Sequence, residues 1–150
     1  MAQKNLIVYF SRTGSTESVA KVLAAKLGCD TDKLYYADRE KISFANAGLE
    51  SLRKQITTLK GDEHDPGIYD KIFFVSPVWA GSLSTPIRSY MKSNKDKIKD
   101  YALIVTCGGS GVTGPGKEAL AIIGKSPSVT GSFRTLEIKR GEYDLTNFVG

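Results

Sequence analysis

Four hydroxyl side chains and a glycine follow a short apolar run near the N-terminus. Leu6–Phe10 is apolar, and the next six residues read SRTGST (11–16). A helix that begins near Ser15 leaves its first backbone amides without intrahelical partners. Those amides and the positive end of the helix dipole favour an anion, which Gly14 allows the backbone to approach closely. The segment adds four hydroxyl donors, those of Ser11, Thr13, Ser15 and Thr16.

This hydroxyl-rich segment predicts a phosphate site bound mostly by neutral donors. Arg12 is the one basic residue in it. The segment has neither the lysine of a GxxxxGK[ST] triphosphate loop nor a GxGxxG dinucleotide fingerprint, so a monophosphate is the better match. A capped helix start is the alternative, but a cap accounts for one Ser or Thr and leaves the other hydroxyls and the glycine unexplained.

A second unusual segment, SPVWAGSLSTP (76–86), holds the only tryptophan of the chain. Trp79 at the end of a strand either packs in the core or offers a flat face to an aromatic ring, and stacking adds about 0.5–1.5 kcal/mol beyond burial. Pro77 removes one amide and stiffens the entry to the loop. Gly81 leaves the local peptide free to change its orientation. Beside a phosphate site, we favour a stacking role for Trp79.

A third segment, TCGGSGVTGPG (106–116), has five glycines in eleven residues. Such a loop exposes backbone amides that can hydrogen-bond the carbonyl edge of a heterocycle. Cys107 stands at its start, where it is either a redox thiol or, as we favour, a small packing residue beside a ligand. The one histidine, His64, lies in a polar loop and is better explained as an exposed loop residue than as a catalytic base.

The elements that position these segments alternate between apolar strands and amphipathic helices. Near-continuous apolar runs are typical of strands buried on both faces of a parallel sheet, and alternation with helices predicts a doubly wound α/β fold. The predicted strands are Leu6–Phe10, Ile72–Val75 and Tyr101–Thr106, with weaker ones at Asp32–Tyr36 and Ser132–Ile138. The predicted helices are Ser15–Leu27, Gly48–Lys60, Thr85–Lys97 and Pro115–Lys125. After Ile138 too few residues follow for another full crossover helix.

Composition sets broad limits on the function. The 150 residues suit a single domain, residues 1–150, and the two cysteines predict neither a disulfide framework nor a zinc site. No run is long enough for a signal-peptide core or a membrane span, so we expect a cytoplasmic protein without membrane insertion. The net charge of +5 suits an acidic partner or an anionic cofactor. Basic residues lack aromatic interleaving, so nucleic-acid binding is not favoured.

Together, the three segments resemble those of flavodoxins. The resemblance runs from Leu6 to about Ile138 and is carried by SRTGSTES after the first strand, SPVWAGSLSTPIRSYM after the third and TCGGSG after the fourth. The first of these has the S/T-x-T-G-x-T form of the family's phosphate loop for flavin mononucleotide (FMN). The resemblance implies a five-stranded parallel sheet of order 2-1-3-4-5, with FMN bound non-covalently at its carboxyl edge and a final helix that is short or missing.

The resemblance also assigns roles by position. Ser11 to Thr16, Arg12 and Gly14 included, would surround the phosphate. The second loop would line one side of the isoalloxazine, with Trp79 stacked on it and the Ala80–Gly81 peptide turning its carbonyl toward flavin N5 in the one-electron-reduced state. The remaining predicted contacts are Pro77 and Val78 in that loop, and Cys107, Gly108 and Gly109 along the pyrimidine edge.

Three departures from the family pattern affect the expected function. The third loop has no aromatic residue to cover the second flavin face, which we expect to be more open or covered from elsewhere. The chain is basic where many flavodoxins are acidic, which changes the expected partner surface and argues against a very low second reduction potential. The short final segment is expected to leave an apolar patch beside the sheet, as at protein interfaces.

The resemblance therefore implies a low-potential electron carrier that shuttles single electrons between redox proteins, such as flavin or iron–sulfur reductases with acidic docking surfaces. We expect a monomer or weak dimer. The alternative is an FMN-dependent NAD(P)H or quinone reductase. A phosphoaspartate receiver module shares the topology but needs acidic residues where this chain has Ser11 and Ser76.

Overall fold

A parallel five-stranded sheet forms the centre of this computed structural model, which describes residues 3–39, 41–108 and 111–149. Its spatial order is β2-β1-β5-β6-β7. When only the five strands of this sheet are counted along the chain, the order is 2-1-3-4-5, as predicted. A small antiparallel pair, β3 with β4, stands apart from the sheet. The strands are β1 (Asn5–Tyr9), β2 (Asp30–Lys33), β3 (Tyr35–Tyr36), β4 (Leu59–Lys60), β5 (Lys71–Pro77), β6 (Tyr101–Cys107) and β7 (Val129–Arg134).

Helices pack on both faces of the sheet and divide the core into two layers. On one face, α1 and the C-terminal segment cover residues such as Ile7 and Phe73. On the other face, side chains from α3 and α4 pack against Val8 and Phe74. The helices are α1 (Ser15–Leu27), α2 (Phe44–Leu52), α3 (Thr85–Asn94), α4 (Thr113–Ile123), α5 (Thr135–Arg140) and α6 (Thr146–Val149), with 3₁₀ turns at Pro66–Ile68 and Lys95–Lys97. Within the described residues, no helix is long and apolar enough to cross a membrane.

The sheet register brings the predicted segments to one edge. Parallel pairing places Val8 opposite Phe74, and Phe74 opposite Leu103. Because β1, β5 and β6 are adjacent and parallel, their carboxyl ends meet at the same edge, where ligands bind in open α/β sheets. These three strands are buried along almost their whole length, which explains their continuous apolar sequence.

The predicted second helix differs most from the structure. The pattern Gly48–Lys60 predicted an apolar face of Leu49, Leu52, Ile56 and Leu59, but α2 ends at Leu52. Lys54 adopts a left-handed conformation (φ 52°), and the Gln55 amide donates to the Glu50 carbonyl (3.0 Å), which together reverse the chain. The left-handed residue that ends a helix is usually a glycine. Because this position holds Lys54, the sequence did not indicate that the helix ends here.

The two edge strands also differ from their predicted bounds. The predicted strand Asp32–Tyr36 divides into β2 and β3, since Leu34 donates its amide to the Tyr9 carbonyl while Tyr35 pairs with Lys60. The predicted strand Ser132–Ile138 begins earlier, at Val129, and its second half forms α5. The capping glutamate Glu137, which accepts from the Arg134 amide (3.3 Å), marks this helix start.

The C-terminal segment covers the sheet face that we expected to remain exposed. Three of its apolar side chains, Ile138, Leu145 and Phe148, are buried. The Phe148 and Phe133 rings meet at 6.4 Å, and Phe133 also contacts the Tyr143 ring at 5.4 Å. Two short helices thus replace one long crossover helix.

His64 forms an ion pair beside β2, away from the carboxyl edge. Its Nδ1 lies 2.5 Å from Oδ1 of the buried Asp32, and its backbone amide donates to the same carboxylate (3.1 Å). The hydrogen bond to the Asp32 carboxylate raises the pKa of His64 above its ordinary value. The predicted exposed loop histidine is therefore a partly exposed structural partner of a buried acid.

We expect this pair to make stability depend on pH. A raised pKa in the folded state means that the stabilisation is complete below the ordinary histidine pKa of about 6.5 and is lost as pH rises through the folded value. Urea unfolding between pH 5.5 and 9 should thus give a free energy of unfolding that falls in this window. His64→Gln should remove that slope, and an unchanged slope would contradict the assignment.

Candidate functional site

The segment after β1 forms an amide-lined turn into α1. Gly14 has φ 105° and occupies the N-cap position, and its own amide donates to Ser11 Oγ (2.9 Å). The first intrahelical bond joins the Ser18 amide to the Gly14 carbonyl (3.0 Å), so the amides of residues 15–17 precede the helical pattern. Within the described part of the chain, no side chain caps this helix start. The turn is suited to an external anion.

Thr16 anchors this turn to the sheet. Its side chain is buried, and its Oγ1 lies 2.8 Å from Oγ1 of Thr106 near the end of β6. This bond joins the first and third predicted loops directly. Thr16 was predicted as a phosphate donor; the structure shows that its hydroxyl also has an internal partner.

An acidic side chain near the turn is neutralised. Glu17 lies in the first turn of α1, where Lys33 Nζ contacts its carboxylate at 2.7 Å and the Tyr9 hydroxyl donates to it at 3.1 Å. The hydrogen bond from Lys33 lowers the pKa of Glu17 below its ordinary value. The Lys33 charge therefore compensates the negative charge of Glu17, which would otherwise repel an anion at the helix start.

The second predicted loop forms a tight turn at residues 79–82. The amides and carbonyls of Trp79 and Ser82 bond reciprocally (2.9 and 3.0 Å). Ala80 (φ 50°) and Gly81 (φ 75°) both have positive φ, as in a type I′ turn. A left-handed alanine costs of order 1 kcal/mol, so its surroundings must hold this conformation. Both residues are exposed at the tip of the turn.

A buried ion pair holds the chain just after this turn. Arg88 is fully buried, and its Nε lies 2.5 Å from Glu118 Oε2 of α4. Glu118 Oε1 accepts from the Leu83 amide (2.9 Å), while Arg88 Nη2 donates to the Leu83 carbonyl (2.8 Å). Sequence reasoning missed this pair, because both residues look like ordinary surface charges of amphipathic helices.

Trp79 forms part of the wall between the loop and the core. Only 6 % of the residue is exposed, and its ring meets the Phe10 ring edge-on at 5.5 Å. Trp79 therefore packs against the core, and it also lines the cleft described next. Its stacking role stays a prediction.

The three predicted segments converge on one cleft of about 220 Å³. Thr135, which the sequence analysis missed, also lines it; its hydroxyl donates to the Cys107 carbonyl (3.2 Å). Cys107 itself is buried, with Sγ 3.5 Å from Ser132 Oγ, as expected of a packing residue. The lining residues are Arg12, Thr13, Ser15, Thr16, Pro77, Val78, Trp79, Thr106, Cys107, Gly108 and Thr135.

Four of the predicted residues lie beside the cleft rather than in its lining. Ser11 and Gly14 shape the turn into α1, and Ala80 and Gly81 form the tip of the 79–82 turn. Gly109 falls outside the residues that the structure describes. On the other side of Phe10 and Arg12, a second depression of about 440 Å³ has Lys33 and Lys41 among its lining residues.

Comparison with solved structures shows what this arrangement is similar to. A flavoprotein from Lactobacillus acidophilus, solved in complex with FMN, is 21% identical with a TM-score of 0.73, over 93% of this chain and 98% of that one. A protein from Bacteroides eggerthii assigned as a flavoprotein is 20% identical with a TM-score of 0.76, over 99% of each chain. The Trp repressor binding protein from Bacillus subtilis is 14% identical with a TM-score of 0.61, over 97% of each.

Comparison of the amino-acid sequence alone identifies no relative. No protein-family model and no curated protein matches the chain significantly. The structural likeness nevertheless spans almost the whole chain, and it agrees with the observed strand order and helix arrangement. The chain has the flavodoxin-like fold.

Proposed function

We propose that this protein binds FMN non-covalently and carries electrons one at a time between redox partner proteins. The observation that carries the proposal is the convergence of the three predicted loops on one cleft at the carboxyl edge of the sheet. The flavoprotein from Lactobacillus acidophilus, which shares the fold, was solved in complex with FMN.

The residues at the cleft fit this cofactor. The uncapped first turn of α1 and the neutral hydroxyl donors suit a monophosphate, and the Glu17 charge that would oppose it is compensated by Lys33. The 106–108 segment borders the same cleft as Trp79, so a planar ring has a wall on one side and backbone amides nearby.

When bound, FMN supplies the redox chemistry, and the protein supplies binding, orientation and electrostatics. The amides of residues 15–17 would hold the phosphate, and the Thr16–Thr106 bond keeps that turn in place. Trp79 would shield one side of the ring from water. The Arg88–Glu118 pair fixes the loop at Leu83, and the exposed Ala80–Gly81 peptide beside the cleft would be the part of this loop nearest the ring edge.

Anaerobic reductive titration of the FMN-loaded protein tests the function. We expect micromolar or tighter FMN binding, followed by accumulation of the one-electron-reduced state during stepwise reduction. A protein that binds no FMN at micromolar concentrations would refute both the site and the function.

Trp79 offers a direct test of the ring wall. Trp79→Ala should weaken FMN binding about tenfold, from lost stacking and burial, and shift both midpoint potentials. Trp79→Phe keeps a ring against Phe10 and serves as the control for core packing. Fluorescence titration and potentiometry are the measurements, and unchanged affinity and potentials in Trp79→Ala would remove Trp79 from the stacking role.

An FMN-dependent reductase that uses NAD(P)H is the second candidate. The observation that favours it is the depression beside the cleft, whose lining includes Arg12 and Lys41 and suits an anionic second ligand. Rapid multi-turnover oxidation of NADPH or NADH by the isolated protein would favour this candidate over the carrier.

A further inference from the structure

The α2 segment exposes apolar side chains and buries two polar ones. Leu49, Leu52 and Ile56 are 42%, 68% and 61% exposed, whereas Glu50 and Ser51 on the same segment are buried. Burial of apolar side chains is favourable, so hydrophobicity alone would turn this helix the other way. We name Leu49, Leu52, Arg53 and Ile56 the α2 patch.

The inward orientation is fixed by specific hydrogen bonds. Glu50 Oε1 accepts from the Tyr36 hydroxyl (2.8 Å) and the Thr85 hydroxyl (2.7 Å), and its Oε2 contacts Arg39 Nη1 at 2.8 Å. Rotating the helix would leave this carboxylate without partners. The exposure of the α2 patch is therefore a built feature of the fold.

The exposed charges along the chain segment that carries the α2 patch have one sign. Residues 41–60 contain Lys41, Arg53, Lys54 and Lys60 but a single acid, the buried Glu50. Lys54 Nζ donates to the neutral Ser82 hydroxyl. Among the ion pairs of the described residues, none involves Arg53 or Lys54. An apolar centre with a positive rim suits an acidic protein surface.

The α2 patch adjoins the 79–82 turn through Lys54, the neighbour of Arg53 in the chain. Lys54 bonds Ser82, the last residue of the 79–82 turn, and Ser51 Oγ donates to the Leu83 carbonyl (2.9 Å). A protein seated on the α2 patch therefore lies next to the exposed tip at Ala80 and Gly81. A second copy of this chain is disfavoured as the occupant, because each copy carries a net charge of +5.

We propose that the α2 patch is the docking surface for an acidic redox protein, an inference that rests on the FMN-dependent electron transfer proposed above. The patch orients the partner so that its redox centre faces the 79–82 turn. In each encounter one electron would pass from the bound, reduced flavin to the partner's oxidised centre, and any proton that the flavin loses with it would go to solvent.

Two haem proteins of opposite charge serve as probes. The FMN-loaded protein is reduced anaerobically and mixed by stopped flow with the acidic soluble domain of cytochrome b5 or with basic cytochrome c, and ferric-to-ferrous conversion is followed by absorbance. We expect the rate with cytochrome b5 to fall as salt is added. Arg53→Glu should lower that rate at least about tenfold, because a rim charge acts on association. Leu52→Ser should lower it about fivefold.

Matched variants elsewhere on the surface separate docking from net charge. Lys26→Glu, in the last turn of α1, makes the same charge change as Arg53→Glu, and Leu120→Ser removes a leucine that is 44% exposed on α4. Both should leave the cytochrome b5 rate within about twofold of the unsubstituted protein, as expected for surface sites outside an interface. Equal slowing by Arg53→Glu and Lys26→Glu would overturn the proposal.

Other occupants would also overturn it. Binding to phosphatidylglycerol vesicles that Leu52→Ser abolishes would assign the α2 patch to a membrane, and a dimer that Leu52→Ser dissociates would assign it to self-association. The FMN content of every variant is measured first. If no FMN binds, the proposed function fails, and docking is then judged alone from amide chemical-shift changes at the α2 patch on addition of the cytochrome b5 domain; no change there refutes it.

Discussion

Replacing Arg88 with methionine should lower the free energy of unfolding by about 3–5 kcal/mol, the cost of removing one partner of a buried ion pair. Arg88 is fully buried and donates to Glu118 (2.5 Å), to the Gln55 carbonyl (2.9 Å) and to the Leu83 carbonyl (2.8 Å). The substitution leaves the Glu118 carboxylate with the Leu83 amide as its described hydrogen-bond partner. Urea unfolding at neutral pH measures the loss.

A double-mutant cycle separates the ion pair from packing. Glu118→Gln keeps an amide oxygen for the Leu83 amide and removes the charge, so Arg88→Met with Glu118→Gln should cost less than the sum of the single changes. Arg53→Met, at an exposed arginine, is the matched control and should change stability by less than about 0.5 kcal/mol. A loss below 1 kcal/mol in Arg88→Met would contradict the structural role.

Arg88→Met should also weaken cofactor binding at the proposed FMN site. Both partners of the pair bond Leu83, which follows the 79–82 turn directly. Freed from these bonds, the turn samples other conformations, since its left-handed alanine is held by its surroundings. FMN affinity measured on folded protein should therefore also fall in Arg88→Met.

Much of the fold was predictable because its signals are local. Continuous apolar runs identified β1, β5 and β6, and the alternation with helices gave the doubly wound class. The sequence misled where tertiary contacts override periodicity. In α2 the hydrogen bonds of Glu50 outweigh the burial of Leu49 and Leu52. The helix therefore turns Glu50 toward the core and leaves the two leucines exposed, the reverse of what the apolar pattern predicts.

In the candidate site, too, the sequence predicted some features and missed others. The loops were recognisable because Gly14, Trp79 and the glycines after Thr106 are unusual residues in their local context. The residues that hold those loops, Arg88 and Glu118, are common types at ordinary helical positions. Their role depends on pairing across 30 positions, which a single sequence does not reveal.

The close approach of α4 to the 79–82 turn leads to a second large effect. A side-chain carbon at Gly114 would overlap the carbonyl oxygen of Gly81 and would lie 3.2 Å from its carbonyl carbon. Gly114→Ala therefore forces the turn or the start of α4 to move. We expect a loss of about 1–3 kcal/mol in stability from this overpacking.

Gly116 supplies a matched control within the same helix. Beyond its own helix and chain neighbours, a side-chain carbon there would meet no atom of the described residues within 4 Å, so Gly116→Ala should stabilise α4 by about 0.5–1 kcal/mol through helix propensity. The two substitutions are chemically identical and two residues apart, yet their effects on the free energy of unfolding should have opposite signs. Equal effects would mean that the helix start and the turn separate without cost.

Measurement of FMN affinity then shows whether Gly114→Ala affects the cofactor site or only the stability of the fold. In Gly114→Ala the displaced Gly81 carbonyl directly follows the Ala80–Gly81 peptide that we assign to the ring edge, so this peptide should move as well and FMN affinity should fall about fivefold or more, the equivalent of one hydrogen bond of roughly 1 kcal/mol. Gly116→Ala should bind FMN as the unsubstituted protein does. If Gly114→Ala lowers stability but keeps full FMN affinity and unchanged midpoint potentials, the 79–82 turn is structural and the ring contacts lie elsewhere in the cleft.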